Sequence, residues 1–145
     1  MTHAIPSGLL RAALALDAAA SGTLALVQLL APHAAARALG LLVEWLVGTG
    51  VLLAAHTALL LWLAVKVAVA RALVRLVVLV NVGWAMACAA SIALLAEDLT
   101  ASGIGYLLAQ AAGVLAFASA QALGLQRSAA AERTSSQLAW NETIL

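Results

Sequence analysis

A carboxylate stands in the middle of an apolar run. The stretch LRAALALDAAASGTLALVQLL, residues 10–30, is long and apolar enough to cross a membrane, yet it carries Asp17. An ionised aspartate at the centre of a bilayer costs about 2.5–3.5 kcal/mol on insertion scales, so this group must be paired, hydrogen-bonded or protonated. Because ionisable side chains inside membrane spans often mark ligand or proton sites, Asp17 is the first candidate for an acid/base group or a hydrogen-bond acceptor.

Two further polar residues are predicted at the depth of Asp17. With a rise of about 1.5 Å per residue, Asp17, His56 and Asn81 each lie roughly 12–15 Å from the basic side of their spans. His56 is the candidate acid/base partner of Asp17, because imidazole exchanges protons near neutral pH. The structural alternative is a clasp, in which Asp17 pairs with Arg71 or Arg75 or shares a proton with Asn81. In that alternative His56 is a hydrogen-bonded core residue.

The other candidates lie on the third and fourth apolar runs. Trp84 is far from the interfaces that tryptophan prefers, so it either lines a pocket or fills a gap in the core. Gln121 is predicted one to two turns nearer the basic side than Asp17. A second polar level is predicted toward the other side, with Gln28, Cys88, Ser91, Tyr106 and Gln110. The predicted ligand-binding set is Asp17, His56, Asn81, Trp84, Gln110 and Gln121, of which Asp17 and His56 are the catalytic candidates.

The composition indicates an integral membrane protein. Of 145 residues, 66% are hydrophobic and 9% are charged, and the mean hydropathy is +1.09. Soluble domains contain about 45–50% apolar and about 25% charged residues. The first apolar run is longer than the core of a signal peptide, so we expect it to remain in the protein. Residues 1–126 are predicted to form a membrane domain, followed by a polar tail over 127–145, with spans at about 7–30, 39–65, 72–96 and 102–125.

The basic residues predict how the spans are oriented. A four-span arrangement places almost all of them on one side, namely Arg11, Lys66, Arg71, Arg75, Arg127 and Arg133, and only Arg37 on the other. By the positive-inside rule, both termini and the turn near Lys66 are cytoplasmic. We therefore expect an all-α, antiparallel bundle of four transmembrane helices, a multi-pass protein of the bacterial inner membrane.

Small residues at four-residue spacing predict the packed faces of these helices, because small side chains let membrane helices approach closely. The predicted ridges are Ala13, Asp17, Ser21 and Ala25 on span one; Gly50, Ala54 and Ala58 on span two; Asn81, Ala85 and Ala89 on span three; and Ala112, Ala116, Ala120 and Gly124 on span four. Asp17 and Asn81 each belong to a ridge, so both are expected to face protein rather than lipid.

Several chemistries do not fit the sequence. His3, His33 and His56 are scattered over a terminus, a loop and a span, so neither a zinc triad nor bis-histidine haem ligation is expected. The single cysteine, Cys88, excludes an intramolecular disulfide. The chain has no phosphate-binding loop motif and no basic cluster typical of nucleic-acid binding. We predict no cofactor and no nucleic-acid partner.

Three segments resemble a known family. LLRAALALDAAASG in span one, the LG before span two and LVVLVNVGWAMAC in span three resemble small bacterial four-helix membrane proteins, broadly DoxX-like. The similarity covers about residues 7–126. It implies a four-helix membrane fold, and for the wider group it implies membrane redox chemistry with thiol and quinone partners or the binding of sterol-like ligands. This sequence has one cysteine and no redox motif.

Three functions agree with these features. The first is binding of a lipophilic molecule, such as a quinone or an isoprenoid, at a polar site inside the membrane, with enzymatic action left open. The second is a structural or accessory subunit without a ligand. The third is a small proton-coupled transporter or channel, which would work as a homo-oligomer. The predicted partners are the lipid bilayer, a lipophilic small molecule and, for the third function, further copies of the chain.

Overall fold

The computed structural model describes the backbone of residues 3–144 and the side chains of residues 3–130 and of Gln137. Within this part the chain is helical apart from two short strands and short connecting segments, which confirms the all-α prediction. The elements are β1 (His3–Ala4), α1 (Gly8–Leu30), α2 (Pro32–Leu39), α3 (Val43–Val65), β2 (Val69–Ala70), α4 (Arg71–Leu95) and α5 (Ala101–Ile144). Among the described residues, four helices are long and apolar enough to cross a membrane, namely Gly8–Leu30, Val43–Val65, Arg71–Leu95 and Ala101–Ala130.

The segment between the first two spans is a helix rather than a loop. Pro32 occupies the first turn of α2, where its missing N–H group costs no hydrogen bond. The alanine-rich sequence PHAAARAL then favours the helix. Gly40 ends it with a φ of 70°, a left-handed conformation that glycine adopts readily. For this reason the second span begins at Val43 and not at Leu39 as predicted.

One end of the bundle carries most of the basic residues. β1 pairs with β2 in antiparallel register, with His3 opposite Ala70. The Arg11 guanidinium donates to the carbonyl of Lys66 at 3.2 Å, and the Ser7 amide donates to Ser128 Oγ at 2.9 Å. These contacts bring the start of α1, the turn before α4 and residue 128 of α5 together. We call this the basic end; it carries Arg11, Lys66, Arg71, Arg75 and Arg127.

The polar tail predicted after residue 126 does not begin with a break in the helix, because α5 continues to Ile144. The side chains of that segment, including Arg133 and Trp140, lie outside the described residues.

The opposite end is closed by contacts between α2 and α5. Thr100 Oγ1 and Ser102 Oγ both donate to the carbonyl of Ala38, at 2.7 and 2.6 Å, and the Thr100 amide donates to Leu39. We call this the acidic end; it carries Glu44, Glu97, Asp98 and Arg37. A side chain at Gly40 would lie 2.3 Å from the carbonyl oxygen of Asp98, so glycine is required there for the close approach as well as for the turn.

Helix α1 packs along both α3 and α5, and α5 packs along α4. Within the described residues, α3 and α4 do not pack backbone against backbone along their length. Near the basic end, apolar side chains from α1, α3, β2 and α4 fill the interior. We call this cluster the apolar plug; it consists of Leu10, Leu14, Ala18, Leu60, Leu63, Val69, Val74 and Val77, all of them buried.

The small-residue ridges were correct on α1 and partly wrong elsewhere. The α1 ridge is buried throughout. On α5, however, Ala112 and Ala116 are exposed, and on α3 Ala54 and Ala58 are exposed. Alanine is so frequent in this chain that alanines at four-residue spacing occur on several faces of each helix. Which of these faces is buried depends on how the helices pack. The buried face of α5 instead carries Gly103, Leu107, Ala118, Gln121, Gly124 and Ser128.

We expect Gly124→Ala to destabilise the bundle. A Cβ atom at Gly124 would lie 2.8 Å from the backbone of Leu10, so α1 and α5 would have to separate. Overpacking of this kind typically costs about 1–3 kcal/mol. The free energy of unfolding in detergent measures the effect. Gly105→Ala on the same helix is the matched control, because open space surrounds Gly105; equal stability of the two variants would contradict the close contact.

Candidate functional site

Asp17 is completely buried, and its carboxylate accepts three hydrogen bonds from neutral donors. Ser21 Oγ donates to Oδ1 at 3.1 Å. Asn81 Nδ2 and Gln121 Nε2 each donate to Oδ2 at 2.8 Å. Asn81 Nδ2 also lies 3.3 Å from Gln121 Oε1, so the two amides contact each other as well as the carboxylate. Helices α1, α4 and α5 therefore meet at one polar centre.

His56 completes this centre from α3. Its Nε2 atom lies 3.9 Å from Asp17 Oδ2, too far for a hydrogen bond. Among the described residues this nitrogen has no hydrogen-bond partner, although it is buried. A buried polar atom without a partner costs about 1–3 kcal/mol. This nitrogen lies beside the Asp17 carboxylate and faces a cavity rather than a protein partner.

The predicted meeting of Asp17, His56 and Asn81 at one level is confirmed by these contacts. Gln121, predicted one to two turns nearer the basic side, contacts Asp17 directly. Side chains lean toward the N-terminus of their own helix. Since α1 starts at the basic end and α5 starts at the acidic end, Asp17 and Gln121 lean toward each other, so the two side chains can meet even where their backbones differ in depth.

The predicted arginine clasp is not formed. In the described part of the chain Asp17 pairs with neither Arg71 nor Arg75, which line a separate groove between α4 and α5 near the basic end. The alternative contact with Asn81 is the one that the structure contains.

A cavity of about 550 Å³ lies between α1 and α5. We call it the α1/α5 cavity. Its walls are mostly apolar, with Leu24, Val114 and Phe117, and its polar groups come from Asp17, Ser21, Thr23, Tyr106 and Gln110. Pockets for small lipophilic molecules have this size and this sparse set of polar groups.

A second cavity of about 200 Å³ lies between α3 and α4 and is lined by His56, Asn81 and Trp84. We call it the His56 cavity. Ser21, Leu53 and Val114 line both cavities and thus form the partition between them. Asp17 lines the α1/α5 cavity and His56 lines the other, so the two candidate acid/base groups face different spaces.

The second predicted polar level is confirmed as a cluster nearer the acidic end. All five of its members, Gln28, Cys88, Ser91, Tyr106 and Gln110, line one cavity of about 130 Å³ that also contacts Trp45. We call it the Trp45 cavity. Gln28 Nε2 donates to Tyr106 Oη at 2.6 Å, and Thr49 Oγ1 donates to Gln28 Oε1 at 3.0 Å.

Trp84 lines two of the cavities, which favours the pocket interpretation over a simple core filler. Its indole Nε1–H donates to Gln110 Oε1 at 3.0 Å. The side chain stands between the Trp45 cavity and the His56 cavity.

Sequence reasoning missed Thr49, Leu53 and Val114. Thr49 lies in a glycine-flanked triplet that suggested packing alone, and the other two are apolar residues without a distinguishing pattern.

The arrangement can accept hydrogen bonds, donate them from neutral groups and exchange a proton between a carboxylate and an imidazole. Within the described residues, no three His, Cys, Asp or Glu side chains come together as a metal site.

We expect Asp17→Leu to destabilise the protein by about 1–3 kcal/mol, because it leaves the buried amides of Asn81 and Gln121 without their acceptor. Asp17→Asn retains one acceptor oxygen and should lose less. Ser119→Leu is the control, since Ser119 is exposed on α5 and donates only to Leu115 of its own helix. Unfolding in detergent would show the order, and an Asp17→Leu variant as stable as the wild type would contradict the role of this carboxylate in packing.

No protein-family model, no curated protein and no solved structure matches this chain. The DoxX-like resemblance therefore stays a prediction, and the function has to be argued from the site itself.

Proposed function

We propose that this protein binds a lipophilic small molecule inside the membrane, of quinone-like or isoprenoid-like chemistry. The observation that carries the proposal is the α1/α5 cavity, an apolar space of about 550 Å³ with a buried carboxylate in its wall. The apolar part of the ligand would pack against Leu24, Val114 and Phe117, and its polar group would lie near Asp17.

The polar groups suit a ligand that carries oxygen atoms. Asp17 Oδ1 accepts one hydrogen bond, from Ser21, and a carboxylate oxygen can accept two. A hydroxyl group, as in a quinol or an isoprenoid alcohol, can therefore donate to Oδ1. The Tyr106 hydroxyl and the Gln110 amide, farther along the same cavity, can donate to a carbonyl oxygen.

The proposal places four antiparallel helices in a bacterial inner membrane, with the basic end in the cytoplasm. The positive-inside rule supports this orientation. Large apolar side chains along the helices are exposed, for example Leu16, Leu79 and Met86, as expected for lipid-facing positions. Trp62, whose ring lies under the Lys66 ammonium at 4.8 Å, and the exposed Trp45 mark the two ends, where aromatic residues prefer the interface.

A second candidate is a structural or accessory subunit. Three neutral donors already bind the Asp17 carboxylate. Such a network can fix the positions of α1, α4 and α5 without any ligand. The volume of the α1/α5 cavity favours the ligand-binding function over this one, because a network that only fixes helices needs no space beside it.

Filling the α1/α5 cavity should remove the ligand. Gly113 lines this cavity and has open space around it, so Gly113→Leu would project into the cavity without a clash and favour the helix by about 0.5–1 kcal/mol. Mass spectrometry of protein purified in mild detergent would identify co-purifying molecules. We expect a defined lipophilic molecule with the wild type and its loss from Gly113→Leu.

Gly83→Leu is the matched control, because Gly83 also has open space around it and lies on α4 outside that cavity. It should retain the molecule. The same bound lipids in all three proteins, or none in the wild type, would overturn the proposal.

The orientation can be measured with full-length chains in which Cys88 is replaced by Ser. A membrane-impermeant thiol reagent added to intact cells should label Glu97→Cys at the acidic end, and it should label Lys66→Cys at the basic end only after permeabilisation. The reverse pattern would show that the basic end is outside.

A further inference from the structure

Two cavities between α3 and α4 follow each other from the acidic end to the middle of the bundle, with the Trp84 side chain between them. The Trp45 cavity begins beside Leu41 and Trp45, at the start of α3. The His56 cavity adjoins it at Trp84, which lines both. We call these two cavities together the path. They exist because α3 and α4 do not pack backbone against backbone there. Their walls are mostly apolar, with polar side chains that include Thr49 and Ser91 in the Trp45 cavity and His56 and Asn81 in the His56 cavity.

The opposite direction is closed. Between Asp17 and the basic end lies the apolar plug, whose larger members Leu10, Leu14, Leu60 and Leu63 are completely buried. Close-packed aliphatic side chains offer no hydrogen bonds to water, so water does not stay in such a region. Toward the basic end this dry core covers the polar centre from α1, α3 and α4. The groove that Arg71 and Arg75 line between α4 and α5 shares no lining residue with the His56 cavity or the α1/α5 cavity.

The two acid/base groups are arranged across a partition. His56 faces the path between α3 and α4, while Asp17 faces the α1/α5 cavity on the other side of Ser21, Leu53 and Val114. The groups that contact Asp17 from α4 and α5 are the neutral amides of Asn81 and Gln121. Two further titratable side chains line these cavities: Tyr106 lines the α1/α5 cavity, and Cys88 lines the Trp45 cavity.

We propose that the gap between α3 and α4 is an aqueous route through which protons reach the Asp17–His56 pair from the acidic end, and only from that end. A proton taken up from water at His56 Nε2 passes to Asp17 Oδ2 when the 3.9 Å separation closes and the amide of Asn81 or Gln121 gives up its hydrogen bond to that oxygen, which leaves a neutral imidazole and a neutral carboxyl group. The neutral carboxyl group can then donate a hydrogen bond to an oxygen atom of the molecule in the α1/α5 cavity, and no covalent bond of that molecule changes. This last hydrogen bond rests on the proposed function, whereas the route does not.

Trp84 is the narrow point of the route. Its indole separates the Trp45 cavity from the His56 cavity and is held by the hydrogen bond to Gln110 Oε1. Removing the ring would join the two cavities, so we expect Trp84→Ala to admit water-soluble reagents to the polar centre faster than the wild-type side chain does.

The test is thiol modification by a small membrane-impermeant methanethiosulfonate, added to right-side-out or to inverted membrane vesicles. Ser21→Cys in a Cys88→Ser background places a thiol beside Asp17, and Cys88 of the wild-type chain is a reporter that needs no substitution. Both thiols should react only when the reagent is on the side of the acidic end. Trp84→Ala should accelerate the reaction of Ser21→Cys several-fold and leave that of Cys88 less affected.

Val77→Cys, in the apolar plug, is the matched control and should react from neither side. Reaction of Ser21→Cys from the side of the basic end, or from neither side, would overturn the proposal. So would a Cys88 thiol that resists the reagent from the acidic end, even if Ser21→Cys fails to fold.

Gly113→Leu separates this proposal from the proposed function. It fills the α1/α5 cavity and leaves the gap between α3 and α4 unchanged, so the Ser21→Cys reaction should persist. If no ligand co-purifies but the one-sided reaction is found, the proposed function fails and the route stands. If a ligand co-purifies but the reaction is not one-sided, the route fails and the proposed function stands. If Gly113→Leu abolishes the reaction, the reagent arrives through the α1/α5 cavity and the assigned route is wrong.

Discussion

The bundle depends on the burial of one carboxylate. A charge inside an apolar interior needs compensation, and Asp17 obtains three hydrogen bonds from uncharged side chains on α1, α4 and α5. Since each donor has a short reach, sliding any of these helices by one turn would break a contact. The carboxylate therefore fixes the relative positions of the helices, a specificity that apolar packing against lipid supplies only weakly.

Along the axis of the bundle, the side chains of the interior change from large near the basic end to small around Asp17. Near the basic end α1 contributes Leu10 and Leu14 and meets α5 at Gly124, so the helices are close and the core is filled. Farther along, the sequence AAASG over residues 18–22 gives α1 only small side chains. With little volume to fill the space, cavities remain on both sides of Asp17. The polar centre lies where the filled half ends.

The spans, the two ends and the level shared by Asp17, His56 and Asn81 could be predicted from the sequence, because hydropathy, charge and helical rise depend on single segments. The helix of residues 32–39 is not evident from the sequence, because a proline after an apolar run is as typical of a helix that has ended as of one that begins. The buried face of α5 and the contact of Gln121 with Asp17 depend on how two helices meet. Regularly spaced alanines do not indicate which face of a helix is buried. The positions of the cavities depend on which face is buried, so they could not be predicted either.

The order of synthesis gives the Asp17 contacts a further consequence. Two of its three donors lie 64 and 104 residues later in the chain. During translation α1 leaves the ribosome well before α4 and α5, so its carboxylate has only Ser21 nearby when the first span reaches the membrane. A chain that still lacks α4 and α5 therefore has to keep this carboxyl group protonated or leave it short of hydrogen bonds.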